Sequence, residues 1–196
     1  MTSLSAQYAW FADDDGSDSY CLTLVKDRAP AEVLTLLDGD HLRTVPNMTA
    51  VWHETQEVGD AGGVVAASTV ANWTLLFEPF GYRGVIRDVA ERLSTGTTLV
   101  SHLRTINLDT TFMWAEDGIV QAEFDLVAPE NATGVRAGQL DDMLQRAGFE
   151  GPDGGEWGYD SNYLAAAMAL ADIITGVTLT AELLDDSAYL CATVPF

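Results

Sequence analysis

The sequence has few basic residues. One lysine, Lys26, and eight arginines stand against thirty acidic residues, so the 196-residue chain has a formal net charge of −21. A field of this sign repels nucleic-acid phosphates and anionic lipid headgroups, which disfavours binding to either. Two origins of the acidity stay open: an acidic surface selected for a basic partner, or the general amino-acid bias of a GC-rich or salt-adapted genome.

Cysteines and long apolar runs are also scarce. Cys21 and Cys191 are the only thiols. No apolar run approaches the ~18 residues that a membrane-spanning helix needs. Residues 1–5 have neither the basic nor the apolar part of a secretory signal. We therefore expect two reduced cysteines in a cytoplasmic protein without a membrane segment.

The common catalytic and metal-binding motifs are absent. His41, His53 and His102 show neither the HExxH spacing nor a nearby cysteine pair, and the chain has no nucleophile elbow and no phosphate-binding glycine loop. The acidic run at 13–18 does not fit the EF-hand loop, because Phe11 and Leu22 would occupy ligand positions. No catalytic residues, metal or cofactor can be assigned from these patterns.

Short runs of β-forming residues fill positions 63–127. They lie at 64–70, 73–78, 97–105, 110–115 and 119–124. Asp117-Gly118 gives the strongest hairpin signal, since a type I′ turn needs positive φ at both central residues. We predict an antiparallel β-meander of five or six strands, to which residues 20–25 add an edge or partner strand.

Apolar residues at helical spacing flank this region. They predict helices at 3–12, 30–37, 85–93, 139–147 and 163–175, and a last helix from the N-cap Thr180 through Leu190. Ser3 is a candidate N-cap, and 49–52 is predicted to be extended. With 47% hydrophobic residues, we expect a single α+β domain over 1–196, in which helices from 1–62 and 138–193 pack on one face of the meander.

Alternation along the strands predicts one apolar and one polar sheet face. The apolar face would carry Trp73, Leu75 and Phe77 together with Leu99 and Leu103. The polar face gives the best candidate for a ligand or partner site, formed by Glu78, His102, Arg104, Glu123 and Asp125. Ordinary solvation of an open sheet face would explain the same pattern.

Several motifs, in order, resemble one family. They are residues 20–25 followed by 30–34, Trp73 with EPFGYRG at 78–84, LSTGT at 93–97, FMWAEDG at 112–118, and TGV at 175–177 with Thr180 and Leu183-Leu184. Together they resemble an uncharacterised family of small acidic proteins common in actinobacteria, a domain of unknown function. The resemblance spans about 8–195, and the segment 135–138 departs from it. It implies no activity or site residue.

Two classes of function follow. The first is a non-enzymatic binding protein that engages a basic protein partner, as immunity and antitoxin-type proteins do, with exposed acids such as Asp13 to Asp15 and Glu123. The alternative is a small-molecule-binding protein or enzyme that uses the polar sheet face, with Arg104 holding an anion and His102 moving a proton. A homodimer is a further possibility, because Tyr189, Leu190, Val194 and Phe196 form an apolar end.

Overall fold

The computed structural model describes residues 3–12, 18–58, 62–149 and 162–195. It contains one sheet whose strands are β1 Tyr20–Lys26, β2 Asp40–Val45, β3 Gly63–Val70, β4 Trp73–Pro79, β5 Thr98–Arg104, β6 Thr110–Glu116, β7 Ile119–Phe124 and β8 Tyr189–Val194. The α-helices are α1 Ala9–Ala12, α2 Pro30–Leu36, α3 Met48–Val58, α4 Arg87–Ser94, α5 Asp141–Ala147, α6 Tyr163–Thr175 and α7 Ala181–Asp186. Short 3-10 helices include Leu4–Tyr8 and Arg83–Val85. Of the acidic run at 13–18, residues 13–17, which include Asp13 to Asp15, lie outside the described residues, as does Phe196.

The strands lie in the order β2-β8-β3-β4-β1-β5-β6-β7, and each neighbouring pair is antiparallel. The α+β class and the antiparallel sheet are confirmed, but the predicted number of strands is wrong, because the sheet has eight. The predicted strand at 20–25 is confirmed, but as β1 it interrupts the meander, because it lies between β4 and β5 rather than at an edge. The region predicted as helical cover therefore supplies three strands of the sheet.

Both faces of the sheet are covered. The face we call the α6 face carries Leu22, Phe77 and Phe112 and packs against α1, α3, α5, α6 and α7. The face we call the α4 face carries Val25, Leu76 and Met113 and packs against α2 and α4. The prediction of helices on one face is wrong, because the central strands β1 and β4 are buried along nearly their whole length and need cover on both sides.

Local signals at the ends of the elements are mostly confirmed. Asp117 and Gly118 have φ of 48° and 74° and join β6 to β7. The side chain of Thr180 accepts a hydrogen bond from the N–H of Leu183 at 3.1 Å and caps α7. Gly176 ends α6 in the left-handed conformation. Ser3, in contrast, makes no capping hydrogen bond.

Two elements differ from the prediction. The segment predicted to be extended at 49–52 belongs to α3, and the side chain of Asn47 accepts a hydrogen bond from the N–H of Ala50 at 3.0 Å. The predicted last helix ends at Asp186, and residues 189–194 form β8 between β2 and β3. Tyr189 and Val194 are consequently buried inside the chain, and the expectation of a homodimer loses this basis.

Candidate functional site

The five residues predicted to share a polar face do not lie together. His102 is paired with Leu22 and Phe112, so it lies on the α6 face. Glu78 is paired with Cys21, and Glu123 with Met113, which places both acids on the α4 face. The prediction of one shared face is wrong. Helix α4 separates β4 from β5 in the chain. The face on which a residue of β4 lies therefore does not predict the face on which a residue of β5 lies.

His102 is a core residue. It is fully buried, and its Nδ1 lies 2.9 Å from the hydroxyl of Tyr20. The rings of Phe11 and Tyr20 contact the imidazole edge to face, at 6.2 Å and 5.4 Å between centroids. Burial lowers the pKa of His102 to about 3, so the imidazole is neutral near pH 7. Its Nε2 has no hydrogen-bond partner among the described residues.

Glu78 holds the loop that follows β4. Its carboxylate accepts hydrogen bonds from the N–H groups of Arg83 at 3.2 Å and Gly84 at 3.1 Å. The guanidinium of Arg83 lies 3.6 Å from the same carboxylate. Burial raises the pKa of Glu78, and these three contacts act in the opposite direction. The EPFGYRG motif is thus a structural device that folds the loop back onto the α4 face.

A row of small polar side chains lies under this loop. Thr23 and Ser101 are 2.7 Å apart between hydroxyl oxygens, and Ser101 lies 3.4 Å from the sulfur of Cys21. All three side chains are fully buried. Burial raises the pKa of the Cys21 thiol, and the nearby charge of Glu78 adds to this effect. The thiol is therefore protonated and shielded, which does not suit a nucleophile.

The other three predicted residues form separate local contacts. Arg104 lies 3.7 Å from the exposed carboxylate of Asp18. Glu123 is paired with Arg87 across the α4 face. Asp125 accepts a hydrogen bond from the hydroxyl of Thr110 and one from the N–H of Val127 at 3.0 Å. These contacts do not converge on a common point.

Every arginine is neutralised by an acid of the same chain. The pairs are Arg28–Glu32, Arg43–Glu54 and Glu57, Arg83–Glu78, Arg87–Glu123, Arg92–Asp38, Arg104–Asp18, Arg136–Glu116 and Arg146–Asp142. The one lysine, Lys26, lies over the ring of Trp73 at 6.0 Å from its centroid. The remaining acids therefore carry the net charge of the surface. Glu182, Asp185 and Asp186 form an exposed group of this kind on α7.

Two aromatic residues that sequence reasoning passed over lie at one notch. Trp10 on α1 and Trp52 on α3 line a small concavity beside α7. A signal was present for Trp10, because it falls off the apolar face defined by Leu4, Tyr8 and Phe11. Trp52 gave no signal, since its segment was predicted to be extended.

The described residues contain neither a metal-binding group of side chains nor a membrane-spanning helix. In the described ranges, no three His, Cys, Asp or Glu side chains are grouped so as to hold a metal ion. No helix in the same ranges is long and apolar enough to cross a membrane.

Comparison with known proteins identifies a family but gives no function. No curated protein and no solved structure matches the chain. One family model, described as a family of unknown function (DUF6461), matches residues 1–196. Because the match covers the whole length, the chain belongs to this family of unknown function.

Proposed function

We propose that this protein is a non-enzymatic, cytoplasmic binding protein that engages a basic protein partner, in the way that immunity and antitoxin-type proteins do. The observation that carries the proposal is the pairing of all eight arginines with acids of the same chain. The arginines are thus occupied within the chain and form no basic patch to offset the excess of acids behind the net charge of −21.

This distribution of charge suits rapid association with a basic surface. Opposite potentials steer two proteins together, and the attraction is screened beyond about 8 Å at physiological ionic strength. The exposed acids Glu182, Asp185 and Asp186 on α7 are placed to contribute. We expect the charge to act mainly on the association rate.

The alternative, a ligand-binding protein or enzyme on the polar sheet face, has weaker support. Its five residues are divided between two covered faces, and His102 and Glu78 have no exposed surface. No observed contact favours a particular ligand at these residues. We therefore keep the binding protein as the proposed function.

The first experiment is affinity capture from the host lysate at low salt with elution by a salt gradient, followed by purification of the captured protein. Association of the two purified proteins is then measured by stopped-flow or surface plasmon resonance at several salt concentrations. The proposal predicts a stoichiometric complex with a basic protein and an association rate that falls as salt rises. Association that does not depend on salt would contradict it.

Two charge-matched variants test for a defined interface. One carries Glu182→Gln, Asp185→Asn and Asp186→Asn on α7. The other carries Asp40→Asn, Asp88→Asn and Glu130→Gln at exposed positions elsewhere. Each removes three negative charges, so unequal effects on the dissociation constant would support an interface. Equal effects would show a diffuse charge attraction and overturn the proposal.

A further inference from the structure

A small aromatic notch lies between α1, α3 and α7. Trp10, Phe11, Trp52 and Phe77 form its aromatic lining, Met48 and Leu184 add apolar surface, and Asp185 lies at its rim. Its volume is about 30 Å³. Trp10 and Trp52 are half-buried and reach solvent, whereas Phe77 is buried.

Aromatic neighbours hold Trp52 in place. Its ring contacts Phe77 at 5.9 Å and Phe80 at 5.6 Å between centroids, both in edge-to-face geometry. Trp10 is held in the same way by Phe11 at 5.6 Å. The notch therefore has ordered aromatic walls before any ligand enters, which limits the entropy lost on binding.

The other two described tryptophans already have a cation of the same chain. Lys26 lies 6.0 Å from the ring centroid of Trp73, and Arg136 lies 4.8 Å from that of Trp114. No basic side chain of the described ranges lies over Trp10 or Trp52. Trp10 and Trp52 are also the two tryptophans that line the notch. Asp185 beside them forms no ion pair with a described residue.

A cation is the group that this surface fits. Aromatic faces attract positive charge, most strongly in Trp, and the attraction grows when the cation loses water. The carboxylate of Asp185 adds a full negative charge at the rim. A space of about 30 Å³ is small but exceeds the about 10–15 Å³ that a cavity needs to hold one water molecule, so it admits only a compact group. An ammonium on a narrow alkyl stem meets this limit better than a planar guanidinium does.

We propose that the notch binds the ammonium group of a lysine side chain of the basic partner. This inference rests on the proposed function and names one contact within it. The ammonium would lie between the indoles and the carboxylate of Asp185, and the alkyl stem would lead back to the partner.

The test uses a small probe, so it does not need the partner. N-acetyl-lysine methylamide is titrated into the ¹⁵N-labelled protein, and the indole N–H signals are followed by NMR. The Trp10 and Trp52 signals should shift, and those of Trp73 and Trp114 should not. The neutral norleucine analogue should shift none of them. Equal shifts with norleucine, or stronger binding of the arginine analogue, would overturn the ammonium site.

Matched variants locate the charge effect. Asp185→Asn should weaken the probe about threefold, as expected for loss of one solvent-exposed charge contact. Asp186→Asn removes the same charge from the next residue, which does not line the notch, and should leave binding unchanged. Trp52→Leu should weaken it about fivefold or more, the cost of losing a cation–π contact. Equal effects of Asp185→Asn and Asp186→Asn would overturn the site.

The two proposals fail in different ways. If the purified partner still binds Trp52→Leu with unchanged affinity and the usual salt dependence, the notch assignment is wrong and the proposed function stands. If the lysine probe binds as described but no basic protein associates, the notch stands as a cation site and the proposed function is wrong.

Discussion

Gly84 lies directly against the hydroxyl of Thr23. A Cβ at Gly84 would come within 1.9 Å of Thr23 Oγ1 and 2.5 Å of Ser101 Oγ. Both neighbours are buried side chains of central strands, so neither can move aside. The second glycine of the EPFGYRG motif, Gly84, is thus required because the loop approaches the sheet too closely for a side chain.

Gly84→Ala should therefore strongly destabilise the protein. Overpacking of this severity costs about 3 kcal/mol or more in the free energy of unfolding. Gly138→Ala is the matched control, because a Cβ there meets nothing within 4 Å, and it should change stability by less than about 0.5 kcal/mol. Urea denaturation of the three proteins checks this. Similar stability of both variants would contradict the close approach.

His102 should make the protein sensitive to acid. Its pKa is lowered to about 3 in the folded state, against about 6.5 when unfolded. Between these values the unfolded chain binds one more proton, so stability falls as pH falls, by about 1.4 kcal/mol per pH unit. Above pH 6.5 this contribution is constant.

The comparison with His102→Gln isolates this proton from the many carboxylates. The free energy of unfolding of both proteins is measured by urea denaturation from pH 7 to pH 4. The wild type should lose stability relative to the variant below about pH 6.5. Parallel curves for the two proteins would show that His102 is accessible to protons in the folded state.

Local signals in the sequence predicted local structure well. The Asp117-Gly118 turn, the Thr180 cap and the glycine that ends α6 depend on neighbouring residues alone, so they could be predicted. The start of α3 was predicted wrongly, because the β-forming Val51 and Trp52 favoured an extended segment at 49–52. In the structure these residues lie in a helix that the side chain of Asn47 caps.

Pairing of distant strands could not be predicted in this way. Strand β1 has the composition of a strand wherever it lies, and only long-range pairing places it between β4 and β5. Strand β2 is exposed and polar along most of its length, so it lacks the apolar alternation that marks a strand. The register shift after Trp114 also puts Val120 on the α4 face, against simple alternation.

The candidate site failed for the same reason. Its five residues were assigned to one face because the alternation of side chains along β4 was assumed to continue into β5. His102 lies instead on the α6 face, whereas Glu78 lies on the α4 face. The net negative charge, in contrast, could be predicted from the composition. The composition does not tell whether the arginines are free to offset that charge locally. Only the structure shows that the arginines are used in pairs within the chain.

Neither cysteine should react in the folded protein. Cys21 and Cys191 are buried, and burial raises the pKa of both thiols, that of Cys191 to about 11. Ellman's reagent should therefore modify less than one thiol per chain until denaturant is added. Ala188→Cys places a thiol at an exposed position and should react at once. Fast modification of the wild type would contradict the buried placement.

Arg83 and Glu78 should be energetically coupled. Arg83→Met leaves the buried carboxylate of Glu78 without its cation and removes the bonds that Arg83 donates to the carbonyls of Val194 and Pro195. Loss of one partner of a buried pair costs about 3 kcal/mol. Glu78→Gln in the same chain removes the unpaired charge, so the double variant should be about 1–2 kcal/mol more stable than the sum of the single effects.

The control for this cycle is Arg92→Met. Arg92 lies 3.9 Å from Asp38, and both side chains are largely exposed, so its loss should cost less than about 0.5 kcal/mol. The free energies are measured by urea denaturation at pH 7. Additive effects of Arg83→Met and Glu78→Gln would show that the loop is held by its backbone hydrogen bonds alone. Coupling of the expected size would show that the charge pair fastens the EPFGYRG loop, and through Arg83 the end of β8, to the sheet.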